Sequence, residues 1–319
     1  MTSKQFIAAF LAGAAGIAAV GVPVNMYVDV YGIFRPAHGR RLAIYGEERL
    51  AKYLHSFRYI PENFDGVLLG SSVSDNLETD HLGRYRIYNA SINGGNIEDL
   101  RPLAENLFRR GELRLTVFCI HRYLTLDHVK KTDLMNPRQY WGALGSPQLI
   151  AAYASGLATR SGFLQPAFEE CGARRFGLDG DAAQSRKAIT DALDGIVHGT
   201  ALAGNYTIDP VALSELKEIL AAARRHSRRV LVFHPPLPAP VLAVRAAQFE
   251  HYRDTIDALL QPGDLLVDLN GPQYAAMRAD YGNFVDAVHL SHAGASQVSS
   301  ELGKALAAAD SGAQTAERF

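Results

Sequence analysis

An apolar run that ends abruptly at a glycine and two serines constrains the fold of this chain more than any other stretch. Residues 64–75 read Phe-Asp-Gly-Val-Leu-Leu-Gly-Ser-Ser-Val-Ser-Asp. A short apolar run bounded by glycine is typical of a central strand in a parallel sheet, and Ser and Asp directly after it favour a helix N-terminus. We therefore predict a buried strand that delivers Ser72 to the start of a helix, where α/β folds expose nucleophiles or bind anions. The alternative is a Gly-Ser-Ser turn that only caps a helix.

Short apolar runs alternate with longer amphipathic ones along the rest of the chain. The predicted strands cover residues 67–69, 86–88, 115–120, 230–233 and 265–269. The predicted helices cover residues 97–110, 210–225, 241–260 and 292–308. This alternation predicts an α/β fold, a five-stranded parallel sheet with helices on both faces in three layers.

The domain organisation follows from the same pattern. We predict a main domain over residues 61–308, with a helical insertion from about residue 124 to residue 207 that covers one edge of the sheet. Residues 26–60 mix aromatic, basic and glycine residues without clear periodicity and are interpreted as a juxtamembrane connector. Residues 309–319 are small and polar and predict a flexible tail.

The amino-terminal segment has the composition of a membrane segment. Residues 6–24 contain no charged residue, and roughly 20 apolar residues suffice to cross a bilayer. We favour an uncleaved anchor within residues 1–25; a signal peptide and a buried core helix are the alternatives. Orientation is not settled by charge. Arg35, Arg40 and Arg41 follow the segment whereas only Lys4 and the amino terminus precede it, and this bias taken alone would place the large domain in the cytoplasm.

Composition and motifs exclude several functional classes. The formal net charge is -1, with 32 Lys and Arg against 33 Asp and Glu, so there is no electrostatic case for a nucleic-acid partner. Phosphate-cradling GxGxxG or GxxxxGK motifs do not follow any strand, and no cofactor is expected. The two cysteines do not form a zinc pattern, and a metal site built from His289, His292, Asp286 and His234 has no HExxH or CxxC spacing to support it.

Three segments at predicted strand ends together carry the parts needed for acyl transfer. They are Gly70-Ser71-Ser72, the turn Asn-Ala-Ser-Ile-Asn-Gly at residues 89–94, and Asp-Ala-Val-His at residues 286–289. A serine hydroxyl needs a base to become a nucleophile, and His289 is a base near neutrality that Asp286 can orient. Backbone N–H groups at Ser72 and Gly94 can hold the oxyanion that develops on the substrate.

The order and spacing of these segments, across roughly residues 65–308, resemble the SGNH/GDSL hydrolase family. By that resemblance Ser72 is the nucleophile, His289 the base, Asp286 its orienter and Gly94 an oxyanion donor. Ser71 stands where the family has Asp. The third family block, Gly-x-Asn-Asp, is replaced by Ile-His-Arg-Tyr at residues 120–123.

The family's Asn oxyanion donor is therefore missing. His121 or Arg122 can stand in for it, and a structural ion pair is the alternative for both residues. Asn93 and His234 are further candidates for the substrate pocket, although for His234 a hydrogen-bonded loop histidine is the favoured interpretation.

The resemblance also implies a functional class. The chain looks like membrane-anchored bacterial proteins that add or remove O-acetyl groups on cell-surface or secreted polysaccharides, often beside a multi-pass membrane acyltransferase. We therefore expect an O-acetyltransferase or acetylesterase acting on an acetylated glycan. The expected location is the bacterial cytoplasmic membrane, with a single span and the large domain in the periplasm or outside. The alternatives are a non-catalytic scaffold on the same fold and a lipid esterase.

Overall fold

The computed structural model describes residues 1–79, 82–175, 179 and 181–316. Its centre is a five-stranded sheet in which every pairing is parallel and the strand order is β2-β1-β3-β4-β5. The strands are β1 Gly66–Leu69, β2 Ile87–Asn89, β3 Leu115–Cys119, β4 Val230–His234 and β5 Leu265–Asp268. The predicted α/β fold with a five-stranded parallel sheet is thereby confirmed.

Helices pack against both faces of this sheet and complete the three layers. Helix α1 Ser3–Val28 lies outside these layers. The other helices of the described residues are α2 Glu48–His55, α3 Tyr59–Asn63, α4 Ile97–Arg109, α5 Arg138–Gly142, α6 Pro147–Arg160, α7 Ala182–Val197, α8 Pro210–His226, α9 Ala239–Val244, α10 Ala246–Asp257, α11 Ala275–Ala279 and α12 His292–Ala316. The stretch predicted as one helix over residues 241–260 is two helices. They are separated at Arg245, whose Nη2 donates to the carbonyl of Ile196 at 2.6 Å.

Successive strand residues point to opposite faces, which divides the core in two. Val67 and Leu69 of β1 face α2, α4 and α8, whereas Leu68 between them faces α7 and α12. The four strands β1 to β4 are wholly buried, as their apolar sequences predict, and only the edge strand β5 is partly exposed.

One local prediction is wrong: no helix follows Ser72. The chain instead forms consecutive turns, in which the N–H of Ser74 donates to the carbonyl of Ser71 at 3.1 Å and the N–H of Leu77 donates to that of Ser74 at 3.2 Å. The Asn89 amide donates to the carbonyls of both Ser74 and Leu77, at 2.7 and 3.0 Å. Because strand β2 thus supplies partners for these carbonyls, the turns are stabilised without a helical ladder.

The amino-terminal helix α1 contains an 18-residue window with a mean hydropathy of 2.1, and none of its residues is buried. It is long and apolar enough to cross a membrane, and the alternative of a buried core helix does not hold. The segment that follows it is part of the core, since Tyr53, Leu54 and Ile60 are almost fully buried.

The segments predicted as an insertion and a tail contain regular structure. Helices α5, α6 and α7 fall within residues 124–207, and the carbonyl of Cys171 accepts from the N–H of Asn89 at 2.6 Å, which covers the free edge of β2. Helix α12 continues to Ala316, and Asp310 within it pairs with Arg84 and Arg229. Residues 317–319 of the predicted tail lie outside the described residues.

Candidate active site

The structure brings Ser72, His289 and Asp286 into one hydrogen-bonded line. The Nε2 of His289 lies 3.0 Å from the Oγ of Ser72, and its Nδ1 lies 2.8 Å from the Oδ2 of Asp286. The other oxygen of Asp286 accepts the backbone N–H groups of Val288 and His289, both at 2.8 Å. Asp286 is thus held by a tight turn while it orients the imidazole, which is the arrangement of a nucleophile, a base and its orienter.

The neighbours of His289 favour the protonated form of its imidazole. Burial by itself lowers the pKa of His289, but the hydrogen bond and the charge of Asp286 outweigh it, so the pKa lies above its usual 6.5. Burial likewise raises the pKa of Asp286, but the bonds from His289 reverse the direction and the pKa lies below its usual value. The Asp286 side chain is 41% exposed, so solvent moderates this attraction. The pair therefore stabilises an imidazolium beside Ser72.

The loop that carries Ser72 is tied to the loop that carries His289. The Asn76 amide donates to the carbonyl of Leu290 at 3.0 Å, across 214 positions of sequence. Gly70 allows the close return of the chain, because a Cβ at this position would lie 2.2 Å from the Oγ of Ser74. The sequence pattern did not single out Asn76. Its position four residues after Ser72 was the available signal.

Two backbone N–H groups near the nucleophile are available as hydrogen-bond donors. In the described part of the chain no group accepts a hydrogen bond from the N–H of Ser72 or of Gly94. Their loops run side by side, since Ser71 and Ile92 form a parallel bridge. Gly94 has φ +63° in the turn closed by the Gly95 N–H and the Ile92 carbonyl, a backbone conformation that favours glycine.

Arg49 holds the loop of Gly94. Its Nη2 donates to the carbonyl of Asn93 at 2.6 Å, and its Nη1 lies 3.5 Å from the Oδ2 of Asp99. Asn93 itself is exposed at the tip of this turn. The sequence pattern did not single out Arg49, which lies in the segment interpreted as a connector.

His121 and Arg122 occupy the position after β3 and contact each other. Leu69 pairs with Phe118 in the sheet, so Ser72 and His121 both lie three residues beyond a paired position. Both residues are buried, with 4% and 1% exposure, and the Nη1 of Arg122 lies 2.9 Å from the Nε2 of His121. A guanidinium can only donate, so Nε2 accepts and the proton of the imidazole is on Nδ1.

The resulting Nδ1–H of His121 is a buried donor without a partner among the described residues. Burial first, and then the charge of Arg122, holds the pKa of His121 well below its usual value, so the ring is neutral. Arg122 is engaged elsewhere as well: its Nε donates to the carbonyl of Leu202 at 3.3 Å, and its guanidinium lies over the ring of Tyr206 at 5.2 Å. The Nη2 of Arg122 is likewise buried without a partner among the described residues, so each of the two side chains has one N–H to offer to a ligand.

His234 is bonded through one ring nitrogen, and its Nδ1 is buried without a partner among the described residues. Its Nε2 lies 2.8 Å from the Oδ1 of Asp257, and the residue is fully buried at the end of β4. The Nε2 of His292 likewise lies 2.8 Å from the carbonyl of Arg175. These contacts occupy the Nε2 atoms of His234 and His292, and they favour the interpretation of His234 as a hydrogen-bonded residue.

A different group of metal-ligating side chains lies between α4 and α8. Ligand atoms of Glu98, His128 and Glu215 all fall within 4.8 Å of one another. However, the Nη1 of Arg101 lies 2.9 Å from the Oε1 of Glu215 and already supplies a positive charge there. We therefore interpret this group as an ion-pair network on the surface of the α4–α8 packing.

A network of charged side chains, which includes the buried residues Lys52 and Asp75, contacts the loop that carries Ser72. The Nε of Arg174 lies 3.0 Å from the Oδ2 of Asp75, and its Nη2 donates to the Oε2 of Glu48 at 3.0 Å. Lys52 is fully buried, and its Nζ donates to Glu48 at 2.9 Å and to the carbonyl of Ser91 at 2.6 Å. Burial raises the pKa of Asp75 to about 6 against the opposing charge of Arg174. No short-range sequence pattern indicates this network, because its members come from distant segments.

Comparisons with known proteins add little to this geometry. No family model and no curated protein matches the chain. Among solved structures, a match is found to one described as "a putative platelet activating factor from Streptococcus pneumonia". It has 12% sequence identity and a TM-score of 0.42, with 82% of this chain and 90% of that chain covered. The chemical interpretation of the site therefore depends on its own side chains.

Proposed function

We propose that this chain is a serine-dependent enzyme that transfers or hydrolyses acyl esters through an acyl-Ser72 intermediate. The observation that carries the proposal is the line from Ser72 Oγ through the His289 imidazole to Asp286, with contacts of 3.0 and 2.8 Å. These groups, taken together, activate a hydroxyl for attack on a carbonyl carbon. The loops that carry Ser72 and Gly94 lie beyond the carboxyl ends of β1 and β2, where open α/β sheets place their ligand sites. This location supports the same proposal.

The first half-reaction forms the acyl-enzyme. The Oγ of Ser72 attacks the ester carbonyl carbon while the Nε2 of His289 accepts the hydroxyl proton, and Asp286 stabilises the imidazolium. The carbonyl oxygen becomes an oxyanion that accepts from the N–H groups of Ser72 and Gly94 and from the Nδ1–H of His121. Collapse of this intermediate breaks the ester C–O bond, and His289 returns the proton to the leaving alkoxide.

The second half-reaction releases the acyl group. A hydroxyl of water or sugar gives its proton to His289 and attacks the acyl carbon. The bond between the acyl carbon and the Oγ of Ser72 then breaks, and His289 returns the proton to Oγ. Water as acceptor makes the protein an esterase; a sugar hydroxyl makes it an O-acetyltransferase. Ser72 is half-buried and the His289 side chain is 30% exposed, so the site is open enough for a group on a polymer.

We further propose that the substrate is an acetylated polysaccharide at the cell surface and that α1 anchors the enzyme in the bacterial cytoplasmic membrane. The large domain then lies in the periplasm or outside, and a multi-pass membrane acyltransferase supplies the acyl group for transfer. The support is the apolar helix α1 together with the family resemblance of the site.

The test uses the full chain in detergent micelles with p-nitrophenyl acetate as acyl donor. Ser72→Ala and His289→Ala should each lower the release of nitrophenol to the background rate. Ser71→Ala is the matched control, because its hydroxyl is adjacent and has no partner among the described residues. Added acetyl-acceptor oligosaccharide that gains acetate would identify a transferase. Equal activity in all variants would refute the mechanism.

A non-catalytic scaffold remains the competing function, motivated by the missing third-block Asn. A fluorophosphonate probe separates the two, because it reacts covalently with an activated serine. Labelling of the wild type but not of Ser72→Ala supports the enzyme. Absence of labelling in wild-type protein that is folded by circular dichroism supports the scaffold.

A further inference from the structure

We propose that helices α5 and α6 and the residues after α6 form a second membrane contact, seated in the lipid interface beside the transmembrane helix α1. The contact consists of Trp141, Ile150, Leu157, Phe163 and Leu164, which we call the apolar patch. The proposal rests on the anchoring of α1 in a bilayer but not on the proposed chemistry.

The sequence of α6 is unusual for a helix that faces water. Residues 147–159 contain no charged residue, and Arg160 is the first. The inner face is buried through Leu149 and Ala152, whereas the exposed positions before Arg160 are also apolar. They are Pro147, Ile150, Ala151, Ala154 and Leu157. A helix that is apolar on both faces is expected where both faces leave water.

The apolar patch is well exposed in the isolated chain. Exposure is 70% for Ile150, 72% for Leu157 and 85% for Phe163. It is 68% for Trp141 and 52% for Leu164. Contiguous exposed apolar side chains mark surfaces that contact a protein or a membrane, and Trp is a preferred residue at the lipid interface.

Continuity with α1 selects the bilayer as the occupant. Asn25, near the end of α1, makes two hydrogen bonds to this region. Its amide Nδ2 donates to the carbonyl of Leu144 at 2.6 Å, and its Oδ1 accepts from the Tyr153 hydroxyl at 3.0 Å. An open apolar groove of about 830 Å³ runs between the two elements. It is lined by α1 from Ala14 to Asn25, about 17 Å of helix, and by Trp141 and Ile150 opposite. Lipid around α1 therefore meets the part of the apolar patch formed by Trp141 and Ile150 across this groove.

Basic side chains border this region where α1 ends. A cleft beside Val28 is lined by Arg40, Arg41 and Arg160, and the Arg41 side chain is 82% exposed. Arg41 has a carboxylate neighbour, Glu170, at 3.6 Å, and Arg40 pairs with Asp29 at 2.9 Å. Cations at the level where a helix leaves the hydrocarbon interact with lipid phosphates, and their stems extend over apolar surface. This arrangement matches an apolar patch inserted below a ring of basic groups.

The consequence for function is orientation. A single helix lets a domain swivel above the membrane, whereas two contacts hold it at one angle. The proposal therefore predicts a fixed presentation of the sheet edge that carries Ser72.

The fluorescence of Trp141 reports on the apolar patch without an added label, because Trp141 is the only tryptophan in the sequence. The full chain is reconstituted into phosphatidylcholine and phosphatidylglycerol vesicles with or without brominated phosphatidylcholine. We expect Trp141 fluorescence to be quenched by the brominated lipid and shielded from aqueous iodide. Quenching by iodide alone, or shielding from both quenchers, overturns the proposal; the latter would indicate a second copy of the chain on the patch.

Two variants complete the test. Trp141→Phe with Phe163→Trp moves the reporter within the patch and should again give quenching by lipid. Trp141→Phe with Val129→Trp places it at a site that is 69% exposed and outside the patch, where iodide should quench it. Retention of protein on vesicles after an alkaline carbonate wash measures anchoring by α1 separately. Retained protein with a water-accessible Trp141 refutes the patch alone, and released protein refutes the anchor as well.

Discussion

Replacing His121 provides the sharpest test of how the oxyanion is held. The structure assigns one free donor to this side chain, the Nδ1–H, because Arg122 donates to Nε2. Removing one oxyanion-hole donor costs about 100- to 1,000-fold in kcat, or about 2.7–4 kcal/mol. His121 is only 4% exposed, so water does not readily replace the lost donor, and His121→Ala should fall in this range.

The position of the donor within the side chain allows a matched pair of variants. The Nδ2 of asparagine and the Nδ1 of histidine are both bonded to Cγ, so His121→Asn keeps an N–H at the same number of bonds. His121→Gln moves its donor one bond further out. We expect His121→Asn to retain most of the activity and His121→Gln to resemble His121→Ala.

The assay is steady-state hydrolysis of p-nitrophenyl acetate by the full chain in detergent. The loss should appear in kcat with little change in KM, since the oxyanion exists only in the transition state. His121→Ala also leaves Arg122 without one partner, which costs about 1–3 kcal/mol of stability, so rates are compared well below the melting temperature of each variant. A His121→Ala enzyme within about threefold of wild type would refute a role for His121 in the oxyanion hole.

Three further predictions test other parts of the site. Activity should rise with pH through an apparent pKa above 6.5, because the base His289 must be neutral and Asp286 raises its pKa; Asp286→Asn should move the midpoint of the pH–rate profile downward. Asn76→Ala should lower kcat about tenfold or more while costing only about 1 kcal/mol in denaturant unfolding, since it releases the Ser72 loop from the loop of His289; an unchanged kcat would contradict the tether. The pKa of Asp75 in the folded protein is about 6 against a usual 3.8, so its protonated form is favoured by folding. Its stabilising contribution is complete below about pH 4 and is lost, by about 3 kcal/mol, as the pH rises through about 6. The difference in unfolding free energy between wild type and Asp75→Asn should therefore decrease over this interval, and a constant difference would show that Asp75 does not titrate there.

The sheet was predictable because its signals are local. Each of the strands β1 to β4 is a short apolar run, buried on both faces, and such runs are legible without knowledge of their neighbours. The turn after β1 was not predictable in the same way. Ser and Asp following the strand favour a helix, and the turns are stabilised instead by the Asn89 amide from the next strand.

The candidate site was likewise predictable only where its contacts are local in sequence. Asp286 and His289 lie three residues apart, so their pairing is a property of one turn, and the sequence by itself determined that these two residues are neighbours. Their meeting with Ser72 across 217 positions depends on the packing of the sheet. The tertiary structure alone also shows which donors of His121 and Arg122 remain for a ligand: the Nδ1–H of His121 and the Nη2 of Arg122, both buried without a partner among the described residues. Sequence places both residues after β3, but which nitrogen is left without a partner depends on contacts with groups from distant segments, such as the Leu202 carbonyl.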